Sequence, residues 1–190
     1  NTYSVPFNRP GVARRTDMGI VVADTGNNRV VLIDNGGNTL LEVKDFIDPD
    51  GIMPVGMPLT LSRPQDVTAW MDWDDNTDTP VYHFLITDTG NFRIIDIAAK
   101  WDDSIGQFRN VLVWISRSTL EGKPYLYTSA RAMPDPNDWD TWVVMAIVSN
   151  RQAASTGMES PGGALIKMLY DPGYSTSGEI MGDPYWRLPI

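Results

Sequence analysis

The sequence predicts an all-β chain built from repeated units of four short antiparallel strands, and three observations carry that prediction. One stretch occurs twice: Ala23-Asp24-Thr25-Gly26-Asn27-Asn28-Arg29-Val30 is matched, 64 residues on, by Thr87-Asp88-Thr89-Gly90-Asn91-Phe92-Arg93-Ile94. In both copies a β-branched run enters the turn and another leaves after the arginine. This reads as a hairpin, with Gly supplying positive φ and Asp and Asn bonding nearby backbone. Strand-like runs also recur between clusters of Gly, Pro, Asn and Asp, the spacing of turns in an all-β protein. Finally, proline marks a recurring opening at Pro10, Pro64, Pro124 and Pro189, at intervals of 54, 60 and 65 residues. Self-similarity at such a period is the signature of a repeat architecture.

The elements follow in order. Residues 1–8 read as an extended piece, the end of a preceding unit or an N-terminal extension. The first unit, 9–62, has strands at Gly11–Ala13, Ile20–Ala23, Val30–Ile33 and Thr39–Val43, with a Pro-, Gly- and Met-rich loop from Phe46 to Leu61. The second unit, 63–122, places strands at Asp66–Ala69, Val81–Ile86, Ile94–Ile97 and Asn110–Ile115. Its first turn is expected to expand into the loop Met71–Pro80, and Lys100–Gln107 to form its last hairpin loop. The third unit, 123–187, keeps the framework: strands at Tyr127–Arg131, Trp142–Val148 and Ala164–Tyr170, a fourth starting at Gly178–Met181, and a loop at Met133–Thr141. Ser149-Asn150-Arg151 stands where the Asp-Thr-Gly-Asn turn is expected, and residues 188–190 read as the start of a further unit. Four-stranded antiparallel units at this period are the blades of a β-propeller.

Pro10-Gly11-Val12-Ala13 followed by Val22-Ala23-Asp24-Thr25-Gly26-Asn27-Asn28-Arg29-Val30-Val31 resembles an NHL repeat. The second unit matches that pattern at Asp88, Gly90, Asn91 and Arg93, and the third retains only its frame. The resemblance implies a propeller, in that family usually of six blades, which three blades do not close. The expectation is therefore an incomplete ring: a segment of a longer polypeptide, or a chain that associates with other copies to complete it. The segment reading is favoured because both ends fall close to unit boundaries and open sheet edges are an aggregation liability, and the start at Asn1, with neither Met nor a signal-type apolar region, reads as processed or trimmed.

Composition narrows the function classes. Fifteen basic against twenty-four acidic residues give a net charge of −9, which argues against nucleic acid or an anionic membrane as partner. The absence of cysteine removes disulfides, thiolate catalysis and Cys-ligated zinc. No apolar run is long enough to span a bilayer. There is no phosphate loop or dinucleotide fingerprint, and Gly162-Gly163 reads as a turn.

Asp24 with Arg29, and Asp88 with Arg93, form the most conspicuous polar pairs. Together with Gly26, Asn27, Gly90 and Asn91 they are expected to hold each blade together, because catalysis does not need one constellation per repeat. Asp72-x-Asp74-x-Asn76-x-Asp78 sets oxygen ligands at alternate positions, as a calcium loop begins. Thr77 stands where that loop needs Gly and His83 where it needs Glu, which excludes an EF-hand and leaves a looser Ca²⁺ site beside a solvated turn. Asp135, Asn137, Asp138 and Asp140 occupy the corresponding loop of the third unit and predict an acidic rim. Trp70, Trp73, Trp139 and Trp142 flank the two loops, either packing between blades or forming an exposed face for a protein or sugar. His83, the sole histidine, is expected to pack within its strand.

The reading that follows is a non-catalytic interaction or scaffold module presenting loops to a protein or polysaccharide partner, in an extracytoplasmic or secreted setting. No cofactor is predicted apart from Ca²⁺. The alternative is part of an enzyme resembling propeller lactonases or amidating lyases. These hold a metal near the central channel with His and carboxylate groups, for which His83 and Asp66 are the available residues.

Overall fold

Three four-stranded antiparallel meanders, stacked face against face, make up the computed structural model, which describes residues 6–74, 77–116, 119–120, 123–124, 126–135, 138–149, 163–170, 181–182 and 184–189. The first sheet runs β1 (Val12–Thr16), β2 (Gly19–Asp24), β3 (Arg29–Ile33) and β4 (Thr39–Val43). The second runs β5 (Asp66–Asp74), β6 (Thr79–Asp88), β7 (Arg93–Asp102) and β8 (Gln107–Ser116). A small pair, β9 (Thr119–Leu120) and β10 (Lys123–Pro124), precedes the third sheet, whose spatial order is β11 (Leu126–Asp135), β12 (Asp138–Ser149), β13 (Gly163–Tyr170) and β15 (Pro184–Pro189). The short β14 (Met181–Gly182) leaves that order and pairs in parallel with Ile115 and Ser116 of β8. Ile47, in the linker between the first two sheets, also bridges β8 in parallel at Val111, so the outer edge of the middle sheet is covered at two points. Among the described residues no helix is long and apolar enough to cross a membrane.

The stacking follows from alternation. Along β5 to β8, Val67, Ala69, Phe84, Ile86, Ile95, Ile97 and Leu112 point to one side and pack with Val21, Ala23, Val30, Leu32 and Val43 of the first sheet. Leu85, Ile94 and Trp114 point to the other side and meet Tyr127, Val144, Ala146, Ile166 and Met168 of the third. Because both faces are covered, every residue of β7 from Arg93 to Ala99 is buried, and that stretch is apolar on both sides apart from Arg93 and Asp96.

The all-β prediction and its three four-stranded units match this architecture, but several boundaries differ. Met71–Pro80 and Met133–Thr141 are not expanded loops. Met71 to Asp74 complete β5, Thr79 and Pro80 begin β6, and Asp138 to Thr141 begin β12. Polar residues at every second position of a long strand mimic a turn composition, and the period of two is what tells them apart. For the same reason half of Lys100–Gln107 is strand, with residues 103–106 turning. Leu188 and Pro189 pair with Leu165 and Ala164 and so close the third sheet rather than opening another unit. Met181 belongs to β14, and the fourth strand of that sheet starts at Pro184. Asn150 and Arg151 lie outside the described residues.

Candidate binding surface

The repeated motif forms a clasp at one end of each of the first two sheets. Thr25–Asn27 and Thr89–Asn91 form single 3₁₀ turns. The left-handed residue is not the glycine but Asn28 (φ 54°) in one turn and Phe92 (φ 56°) in the other. Gly26 and Gly90 are required by close approach instead. A Cβ on Gly26 would lie 2.5 Å from the Asn8 carbonyl oxygen, and one on Gly90 2.3 Å from Ser62 Oγ. Asp24 accepts hydrogen bonds from the Asn8 backbone N–H (2.7 Å), Asn27 Nδ2 (2.7 Å) and Arg29 Nε (2.8 Å). Asp88 repeats the set with the Ser62 N–H (2.7 Å), Asn91 Nδ2 (2.8 Å) and Arg93 Nε (2.8 Å). The threonines reach forward. Thr25 Oγ1 donates to the Pro64 carbonyl (2.6 Å), just before β5, and Thr89 Oγ1 to that of Tyr127 (2.7 Å) in β11, tying each sheet to the start of the next. The motif is a structural device, as its recurrence indicates.

Two further polar clusters join the sheets. Buried Asp66 accepts from Arg14 (2.9 Å) of β1, from Ser129 (2.5 Å) and Arg131 (2.7 Å) of β11, and from the Val67 N–H (2.8 Å), so one carboxylate draws the first strands of all three sheets together. Between the second and third sheets, Asp96 Oδ2 lies 2.8 Å from His83 Nδ1 and accepts from the Tyr170 hydroxyl at 2.7 Å. The Trp70 ring stacks on His83 at 5.1 Å with 4° between planes. Burial lowers the imidazole's proton affinity, but the bond to Asp96 and the charges of Asp96 and Asp72 outweigh it and the opposing Lys100, leaving His83 above its ordinary value. Burial and then Asp96 push the Tyr170 hydroxyl well above the usual phenol range. His83 is thus part of an interface network, not a lone core residue.

At the end opposite the clasps, the nine- and ten-residue strands of the middle sheet outrun the five- and six-residue strands of the first. Side chains on the face toward the first sheet lose their cover there. Trp73 faces Pro80 across β5 and β6, Met71 faces Tyr82, and Trp101 faces Phe108 across β7 and β8. Trp73 remains 54% exposed and Trp101 41%. Phe108 stands edge-on to Tyr82 (5.4 Å, 76°) and to Trp101 (5.2 Å, 77°), and Trp101 Nε1 donates to Asp103 (2.9 Å). A cleft of about 700 Å³ adjoins this surface, lined by Arg14 to Met18, Leu40, Thr68 to Met71 and Tyr82.

The predicted site residues are therefore divided rather than gathered. Trp70, Asp72 and Asp74 occupy alternate positions on the face toward the third sheet, whereas Trp73 points the other way. Asp72 accepts from the Trp73 N–H at 2.8 Å, and the Asp74 carbonyl accepts from Thr77 and Asp78 in the turn, where Asp78 has φ 51°. Asn76 and Asn137 lie outside the described residues, as do the side chains of Asp135, Asp138, Trp139 and Asp140. Among the described residues no group of three or more His, Cys, Asp or Glu is placed to hold a metal. The sequence reading missed Tyr82, Trp101 and Phe108. Their signal was available, since Trp101 continues the Ile95, Ile97, Ala99 face of β7. No family model, curated protein or solved structure matches the chain.

Proposed function

We propose that the chain is a non-catalytic interaction module, a run of three blades of an NHL-like β-propeller that presents the aromatic end of its middle sheet to a protein or polymer partner in an extracytoplasmic assembly. The observation that carries this reading is the pair of exposed indoles, Trp73 and Trp101, on a rigid four-stranded face backed by Tyr82 and Phe108. Large rings left in water on a well-ordered sheet mark a contact surface rather than a folding requirement. The blade reading draws support from the convergence of β1, β5 and β11 on Asp66, as expected of inner strands around an axis. The enzyme alternative gains nothing from its two residues. Both oxygens of Asp66 are engaged by neighbours, and His83 belongs to a different cluster, paired with Asp96.

Trp73→Ala and Trp101→Ala test the reading. Trp73→Ala should leave the urea midpoint within the equivalent of about 0.5 kcal/mol, and Trp101→Ala, which gives up its edge-on contact with Phe108, should cost no more than about 1.5 kcal/mol. Each should also weaken retention of the chain on surface material from its source. A loss of several kcal/mol would show that the rings hold the fold together, and the reading would fall.

A further inference from the structure

We propose that this end of the molecule binds a neutral, β-linked polysaccharide laid across the strands of the middle sheet, an inference that rests on the interaction reading above and names its ligand. Spacing is the first argument. Neighbouring strands lie about 4.8 Å apart, close to the advance of one pyranose along a β-linked chain. Trp73 on β5 and Trp101 on β7 sit at the same end of one face, two strands apart, so their rings fall under alternate sugars. The CH-bearing face of a pyranose is the surface that packs on an indole while its hydroxyls stay wet.

Rigidity is the second argument. Phe108 wedges against both Tyr82 and Trp101, and the Trp101 N–H is held by Asp103, so little ordering is required on binding. In the unbound chain these indoles lie open and half wet, ready to be covered by a ligand.

Charge is the third. Arg14 is paired with Asp66 and Arg109 with Asp102, while Arg15 and Asp17 line the same cleft with opposite signs. The surface offers donors and acceptors with its arginines matched by carboxylates, which suits a hydroxyl-rich uncharged chain. The net charge of −9 disfavours a polyanion. The cleft lined by Met71 and Tyr82 lies one same-face pair along the strands from Trp73 and Pro80 and adds Thr16 and Arg14 as polar groups beside the rings.

Native gel electrophoresis through hydroxyethylcellulose, glucomannan, dextran or polygalacturonate, with calorimetric titration of cellohexaose, tests this on the full 190-residue chain. One or more of the neutral β-linked probes should retard the chain. Trp73→Ala or Trp101→Ala should weaken binding by roughly tenfold, a difference well within what one aromatic contact supplies. Phe92→Ala, at the clasp end, should change nothing. No retardation by any neutral β-linked probe would overturn the proposal. So would retardation indifferent to both tryptophans, or binding confined to polygalacturonate. If the glycans fail while the tryptophan variants lose a protein partner, the ligand falls and the interaction reading stands. If neither is lost, both fall.

Discussion

At Asp24 the paired Arg29 keeps 16% of its side-chain surface in solvent, whereas Asp88 and Arg93 are both fully buried. The two clasps make the same bonds in different surroundings. Burial pushes the Asp88 carboxyl upward against the pull of Arg93, the Ser62 N–H and Asn91. The Arg93 guanidinium also lies 5.4 Å from the centre of the Phe46 ring and donates to the Thr60 carbonyl (3.1 Å). Removing one member of a buried pair leaves the other charge uncompensated, at a cost of roughly 3–5 kcal/mol. Asp88→Ala should lose that much. Asp24→Ala, whose arginine reaches water and Glu42 (2.9 Å), should lose roughly 1–3 kcal/mol. Urea unfolding of the two variants checks this, and equal losses would show that burial does not set the cost. The motif's structural role was legible in the sequence because the motif recurs. The burial difference was not, because Phe46 comes from a linker whose position no local pattern specifies.

The three four-stranded units were legible in order, but the short β9, β10 and β14, the place of the last strand and the strand lengths were not. Asp72 and Asp74 alternate with Met71 and Trp73, so the same residues that signal a turn by composition signal a strand by period. Extending β5 and β6 changes which face each tryptophan occupies, and this separates Trp70 at the His83 interface from Trp73 at the exposed end. The interface carries its own prediction. His83, above its ordinary value, faces Asp72 of β5, Asp96 and Lys100 of β7, and, through Asp96, Tyr170 of β13. A raised folded-state value means that its contribution is fully present below the unfolded value of 6.5 and is lost as pH rises through the folded value. The urea midpoint should therefore fall between mildly acidic and mildly alkaline pH. In His83→Gln that part of the decline should be absent. A midpoint in the unaltered chain that rises over the same interval would contradict the assignment.

At the scale of the whole molecule, the middle sheet shows what a covered face looks like, and among the described residues the third sheet shows one that is only partly covered. On β12 and β13, Val144, Ala146, Val148, Ile166 and Met168 pack toward the middle sheet. Alternation turns Met145, Ile147, Leu165 and Leu169 the other way, and Ile147 is 43% exposed. Apart from Lys167, opposite Met145, and with Val143 already buried, this face is apolar, and strands apolar on both faces belong between two layers. This composition predicts a further layer on the outer face of the third sheet, from further blades of the same polypeptide or from a second copy. In isolation the chain should self-associate as its concentration rises, and Ile147→Lys should suppress this while preserving its β-sheet circular dichroism. Sedimentation velocity separates the outcomes. A chain that stays monomeric at high concentration and binds no hydrophobic dye would show that this face needs no cover, and with it the case for an open ring would lose its physical basis.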